Sequence, residues 1–226
     1  EQLGPDYDVE THFTPRYNPW DQRLCLVPDA DLFQALKSGA AEVVTDHIET
    51  FTPDGIRLQS GRTLAADVIV TATGLNLEVM NGVALTVDGA PVDPAKTFSY
   101  KGMMYSDVPN LASAFGYTNA SWTLKCDLTC DYVCRLLNHM RATGLRQATP
   151  RRGEGALEEE PWLDFSSGYV QRSIDRFPKQ GGRAPWKLHQ NYALDLMNLR
   201  YSRLDDGVMV FSNPAPAEAA VTSRAA

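Results

Sequence analysis

The run Ala66-Asp67-Val68-Ile69-Val70-Thr71-Ala72-Thr73-Gly74 most limits what this chain can fold into. A short β-branched stretch closed by glycine reads as a buried strand. Gly74 has no Cβ, so another backbone or a flat ligand can come within contact distance of the strand's end. The plain alternative is an ordinary core strand of an α/β domain. Ahead of this run, Ile48 to Phe51, Gly55 to Gln59 and Arg62 to Leu64 are expected to be short strands. They are joined by turns at Pro53-Asp54-Gly55 and Ser60-Gly61. A small β-meander therefore feeds the glycine-ended strand.

The chain has 226 residues, enough to bury a sizeable core. Its net charge of −7 argues against nucleic acid as a main partner, because phosphate binding needs a basic face. No apolar run approaches the roughly 20 residues that span a bilayer, so no transmembrane segment is expected. The acidic start Glu1-Gln2-Leu3-Gly4-Pro5-Asp6 has no apolar stretch and no Met, which predicts a chain without signal peptide that begins mid-protein. Cys126, Cys130 and Cys134 are spaced four apart and stack on one helical face. The spacing fits no common zinc pattern and predicts small buried residues. With Cys25 elsewhere, nothing demands an oxidising compartment, and a reducing cytoplasm is expected, with peripheral membrane association left open.

In chain order, residues 1–11 show no clear period. His12 to Arg23 holds two prolines and several aromatics, which fix an extended, turning loop. Leu24 to Val27 is a short apolar segment. A helix is expected from Asp29 as N-cap, with Leu32, Phe33, Ala35 and Leu36 as its apolar face and Ser38-Gly39 as its end. Ala41 to Thr45 reads as a strand, and so does Leu111 to Gly116. A long helix is expected to start among Thr118, Asn119 and Ser121, to run to about Thr143, and to stop at Gly144. Leu124, Leu128, Val133, Leu136, Leu137 and Met140 supply its buried side. Residues 145–160 read as a polar linker, and Pro161 to Phe177 as a Trp-anchored turn and helix. Trp186 to Tyr201 reads as a second amphipathic helix, and Val208 to Phe211 as a closing strand or cap. Residues 213–226 form an expected disordered tail.

These segments carry a resemblance. The His12–Arg23 loop, the meander and the Asp67–Gly74 run are similar to those of Baeyer–Villiger monooxygenases and their flavin-containing monooxygenase relatives. So are Tyr100-Lys101-Gly102-Met103-Met104, Phe115-Gly116-Tyr117-Thr118-Asn119-Ala120-Ser121-Trp122-Thr123-Leu124-Lys125, and Trp162-Leu163-Asp164-Phe165-Ser166-Ser167-Gly168-Tyr169. The closest likeness is to the ethionamide-activating type. The resemblance implies an α/β, two-dinucleotide-binding-domain flavoprotein, here only partial. Its Rossmann-type sheets would be incomplete, because neither Gly-x-Gly-x-x-Gly turn occurs in the chain. It further implies the C-terminal part of an NADPH domain over 1–74, the C-terminal part of an FAD domain over 75–146, and a helical C-terminal cap over 147–212. The N-terminal dinucleotide domains of the same protein would be missing partners.

The implied reaction uses FAD, NADPH and O2. It inserts one oxygen atom into a ketone, or adds it to the sulfur of a sulfide or thioamide, through a flavin peroxide. A cation beside that peroxide must stay charged at every working pH and offer several hydrogen bonds, as arginine does. Arg23 falls where the family places such an arginine; without the family, it would read as a surface residue paired with Asp21 or Asp29. Implied cofactor-binding residues are Gln22, Arg23, Thr73, Gly74, Gly116, Asn119, Ala120, Ser121 and Trp122. The start of the long helix, with its unpaired N–H groups and partial positive charge, suits the pyrimidine edge of a reduced flavin. Trp162, Phe165, Tyr169 and Trp186 are candidates for a substrate passage, or simply core. No histidine pair or nucleophile elbow supports a hydrolase or metalloenzyme. Lacking the pyrophosphate turns, the chain alone is expected to be inactive and to bind FAD weakly or not at all. The alternative from another class is a truncated, non-catalytic module acting in binding or self-association.

Overall fold

A computed structural model describes residues 2–19 and 21–215. Trp20 and most of the expected tail, from residue 216 onward, lie outside the described residues. The described chain divides into two compact units, residues 1–75 and 76–226.

The first unit opens with a short helix α1 (Val9–Phe13), capped where the Asp8 side chain accepts from the Thr11 amide. Its His12 ring lies 2.9 Å from the Thr45 hydroxyl. Helix α2 covers Asp31–Lys37. Asp29 is not its N-cap, as expected, but sits inside a 3-10 turn over Pro28–Ala30. Ser38 caps the other end, where the helix was expected to stop. The meander forms as strands β1 (Ile48–Thr52), β2 (Gly55–Leu58) and β3 (Thr63–Ala65), paired antiparallel in that order. Each turn joins strands adjacent in sequence.

Two expected strands of this unit do not form. Residues 41–45 and 66–74 are irregular, and Val68 and Val70 are 77% and 83% exposed. A β-branched run becomes a strand only when a neighbour supplies the ladder of hydrogen bonds. No described segment pairs with either run.

The second unit begins with a hairpin of β4 (Leu85–Val87) and β5 (Ala90–Val92), then a tight pair of β6 (Ser99–Tyr100) and β7 (Met104–Tyr105). The strand expected over 111–116 is reduced to one bridge, Met104 to Ala112. Helix α3 spans Trp122–Thr143 and ends at Gly144, whose φ of 68° is the left-handed value glycine tolerates. Its buried face is Lys125, Leu128, Thr129, Tyr132, Leu136 and Met140. Leu124 and Leu137, expected inside, are exposed, and so are Cys130 and Cys134, with Cys126 half-buried. Leu137 and the three thiols form a second stripe that faces away from this unit's core.

Residues 147–150 are not linker. They form β8 (Gln147–Pro150), which pairs antiparallel with β11 (Met209–Ser212), so the closing strand expected near 208–211 is present. Between them, β9 (Glu159–Pro161) pairs with β10 (Lys179–Gly181). The helix expected before Pro178 shrinks to α4 (Gly168–Gln171) and a 3-10 turn. The one expected over Trp186–Tyr201 is α5 (Tyr192–Leu196) continued by a π-helical turn over Met197–Tyr201. Asn191 interrupts it by capping α5, its side chain accepting from the Leu194 amide. Asn213 and Pro214, expected in a disordered tail, instead accept hydrogen bonds from Arg146.

One core cluster joins Phe98, Tyr100, Met103 and Met104 to the buried face of α3, Trp186 and Leu199. A second gathers Trp162, Leu163, Phe165, Val170 and Phe177, with Tyr169 packed against it. Trp162, Phe165 and Trp186 are thus core residues. In the first cluster the Tyr100 and Tyr132 hydroxyls lie 3.0 Å apart, and Tyr100 donates to Asp206 at 2.7 Å. Burial raises both phenols above the ordinary value of 10.0, Tyr132 to about 12. A group whose folded pKa is raised stabilises the fold below its unfolded pKa and loses that contribution as pH climbs toward the folded value. An alkaline titration followed by tyrosinate absorbance and circular dichroism tests this. Tyr100 and Tyr132 should ionise only together with loss of the helical circular dichroism signal. Ionisation of all nine tyrosines near pH 10 with that signal intact would contradict this packing.

Candidate functional site

The corner where the chain enters α3 is built around a close approach. Gly116 is buried, and a Cβ placed on it would lie 2.3 Å from Cγ and 2.5 Å from Cα of Trp122. Only a residue without a side chain lets the incoming strand-like segment touch the helix backbone there. Residues 118–120 then bend, and Ser121 sits at the N-cap position with extended backbone. Its hydroxyl does not cap the helix but lies 2.8 Å from the Thr123 hydroxyl. The first-turn N–H groups of this 22-residue helix therefore keep their partial positive charge without a side-chain cap. Asn119 and Ser121 are exposed, Ala120 is half-buried, and the Trp122 ring is 48% exposed beside Phe115.

The back of this corner is polar and buried. The Tyr117 hydroxyl donates to Asp195 at 2.8 Å, and Lys125 Nζ donates to the same carboxylate oxygen at 2.6 Å. Burial, then the Asp195 carboxylate, hold the Tyr117 phenol well above its usual range. Gly102 makes room for Lys125: with φ of 75°, it would place a Cβ 3.4 Å from Lys125 Cε and 2.9 Å from Leu188. Phe115, Gly116, Tyr117, Lys125, Trp162 and Gln190 line a small hollow here. The Trp162 indole N–H is buried with no hydrogen-bond partner among the described residues.

A separate cavity of about 230 Å³ is lined by Lys101, Lys187, His189, Asp195, Ser202 and Asp206 among others. Lys101 donates to the Ser202 hydroxyl at 2.8 Å and to the Asn198 carbonyl at 3.2 Å, with Asp206 3.6 Å away. Burial pulls its amine below the ordinary lysine value. Among the described residues, no group of three or more His, Cys, Asp or Glu side chains is placed to hold a metal ion. Among the described residues, no helix is long and apolar enough to cross a membrane.

The structure thus gathers Gly116, Asn119, Ala120, Ser121 and Trp122 into one corner of the second unit. The other candidates belong to the first unit. Gln22 is half-buried, and Arg23 is exposed at the head of the irregular segment 23–27. Thr73 and Gly74 are exposed, Gly74 with φ of 97°. Tyr117, Lys125, Gln190 and Asp195 were not singled out by the sequence. One signal was present: Lys125 falls in register with Leu128, Tyr132 and Leu136, and a lysine on a buried helical face needs an acid partner.

The chain is 55% identical over 216 residues to the FAD-containing monooxygenase EthA of Mycobacterium tuberculosis, a match covering 95% of this chain and 44% of that protein. The chain is a sequence relative of the FAD-containing monooxygenases. The corresponding EthA of Mycolicibacterium smegmatis is 49% identical over 222 residues, 98% of this chain and 45% of that protein. The protein named "Probable FAD-binding monooxygenase AlmA" of Acinetobacter baylyi is 51% identical over 211 residues, 93% and 42% of the two chains. The chain therefore spans less than half the length of the monooxygenase relatives it matches. No family model matches it, and no solved structure does. The donor set at the α3 corner fits an isoalloxazine edge: an uncapped helix start, exposed amide and hydroxyl side chains, and an exposed flat indole. Gly116→Ala should force the α3 start away from residue 116 and cost about 3 kcal/mol, the upper end for overpacking. An unchanged urea midpoint would show that the Gly116–Trp122 contact is not formed.

Proposed function

We propose that this chain is part of a longer FAD- and NADPH-dependent monooxygenase of Baeyer–Villiger type. Its substrates would be small ketones, oxidised to esters, or sulfides and thioamides, oxidised at sulfur. The bound flavin supplies the activation of O2 after reduction by NADPH. The observation that carries the reading is the long match to the FAD-containing monooxygenases, with the helix-start corner falling inside it.

In this reading residues 1–74 close an NADPH domain, 75–146 close an FAD domain with Rossmann-type sheets, and 147–212 form a cap. The α3 N-terminus holds negative charge at the pyrimidine edge of the ring by its helix dipole. Asn119 and Ser121 offer hydrogen bonds, Trp122 an apolar flank, and Gly116 allows a flat ring close to the backbone. Thr73 and Gly74 are further cofactor-binding residues in this reading. Arg23, helped by Gln22, supplies a cation that stays charged at every working pH and stabilises anionic character next to the ring and the nicotinamide. A second reading, a non-catalytic self-associating module, is favoured by the exposed apolar residues Leu26, Val68 and Val70.

The deciding experiment is product analysis of the full-length protein with a simple aryl or alkyl ketone or sulfide, NADPH and O2. Ester or sulfoxide is expected. Arg23→Ala should lower its yield by about 100-fold or more, as removal of a dedicated electrostatic group does. NADPH-dependent flavin reduction should survive the substitution. Absence of oxygenated product from the wild type, or an unchanged yield from Arg23→Ala, would overturn the assignment.

A further inference from the structure

The corner at the start of α3 is gripped from behind by one short stretch of the C-terminal region. Gln190 Oε1 accepts from the Thr118 amide at 3.0 Å and from the Thr118 hydroxyl at 3.1 Å. The Gln190 carbonyl accepts from Asn119 Nδ2 at 3.4 Å. Five residues on, Asp195 Oδ2 takes Tyr117 and Lys125 together. Residues on both sides of the bend, 117–119 and 125, are therefore tied to Gln190 and Asp195, Asn119 through the Gln190 main-chain carbonyl and the others through the two side chains.

The chemistry of this grip is not what stability alone would select. A buried ion pair is often no better for stability than apolar residues of the same volume, because both charges lose their water. What it does supply is direction, since the donors must meet one oxygen at fixed angles. The backbone is also bent to make the grip: Gln190 has φ of 48°, a left-handed value that costs a non-glycine residue energy and persists only where surroundings enforce it. Asn191 then starts α5, which carries Asp195 in its first turn as a buried side chain.

We infer that Asp195 and Gln190 are positioning residues for oxygen transfer: they fix the 117–125 corner so that Asn119, Ser121 and the α3 start meet the flavin edge in one orientation. This rests on the flavin reading above. Neither residue touches the ring in this scheme; both act through Tyr117, Thr118, Asn119 and Lys125. Loosening the grip should leave binding and reduction largely intact and spoil the fate of the activated oxygen. The lost product then appears as hydrogen peroxide, NADPH, a proton and O2 giving NADP⁺ and H2O2.

The test uses the full-length holoenzyme with three variants: Tyr117→Phe, Gln190→Ala, and Lys125→Met combined with Asp195→Asn, which leaves no lone buried charge. FAD content, melting temperature, the KM for NADPH, NADPH consumption and product per NADPH are measured on each. The expected result is wild-type FAD content and an NADPH consumption rate within about twofold. Product per NADPH should fall about tenfold, in line with the cost of small misplacements near a reacting centre, with hydrogen peroxide making up the difference. Unchanged product per NADPH in all three variants, or a fall matched by equal loss of FAD, would overturn the inference and leave these residues purely structural. A wild-type parent that holds no FAD would overturn the flavin reading and this inference with it, and the wild-type control separates that outcome from the others.

Discussion

A single carboxylate oxygen, Oδ2 of Asp195, organises the second unit. It accepts from Tyr117 on the segment entering α3 and from Lys125 one turn into that helix. Removing the acid would leave a largely buried ammonium without its counter-charge, at a cost of about 3–5 kcal/mol. The pair therefore couples the long helix to the C-terminal region more strictly than the apolar contacts around it. Those contacts are broad: Tyr100, Met103 and Met104 pack on Leu128, Tyr132 and Leu136, and Trp186 closes the cluster. Apolar surfaces can slide by fractions of an ångström, whereas a buried ion pair with a second donor on the same oxygen is held to one geometry.

Local elements were legible in the sequence, and elements that depend on distant neighbours were not. The meander came out within a residue or two, because its hairpins close through adjacent turns. The long helix and its Gly144 stop were likewise written locally. The runs at 41–45 and 66–74 show the opposite. Their β-branched residues state a preference for extended backbone, but the preference does not supply the paired edge that would make a strand. Pattern also misled where two apolar stripes compete on one helix. Leu124, Leu137 and the cysteines suggested a core face, whereas the buried face runs through Lys125, Thr129 and Tyr132. In the C-terminal third, Asn191 breaks a convincing amphipathic period by capping a new helix start.

The site divides in the same way. Gly116 was readable as the end of an extended segment and Ser121 as one of three candidate helix starts, whereas the close approach of Gly116 to Trp122 appears only in the structure. Tyr117, Gln190 and Asp195 were not readable, since the interactions that matter cross more than seventy residues of chain. Arg23 and Thr73 took their candidacy from family likeness, while Gly74 also had the local argument of a strand end without a Cβ. The second unit carries the α3 corner as a shape of its own, fixed by residues from 100 to 206.

The central claim is that Lys125 and Asp195 act as one buried unit. A double-mutant cycle measures it directly: urea unfolding of the chain carrying Lys125→Met, Asp195→Leu, and both. Each single change should destabilise by about 3–5 kcal/mol, while the double change should fall near the original stability, giving a coupling of several kcal/mol. Additive single effects, with coupling below about 0.5 kcal/mol, would contradict the account.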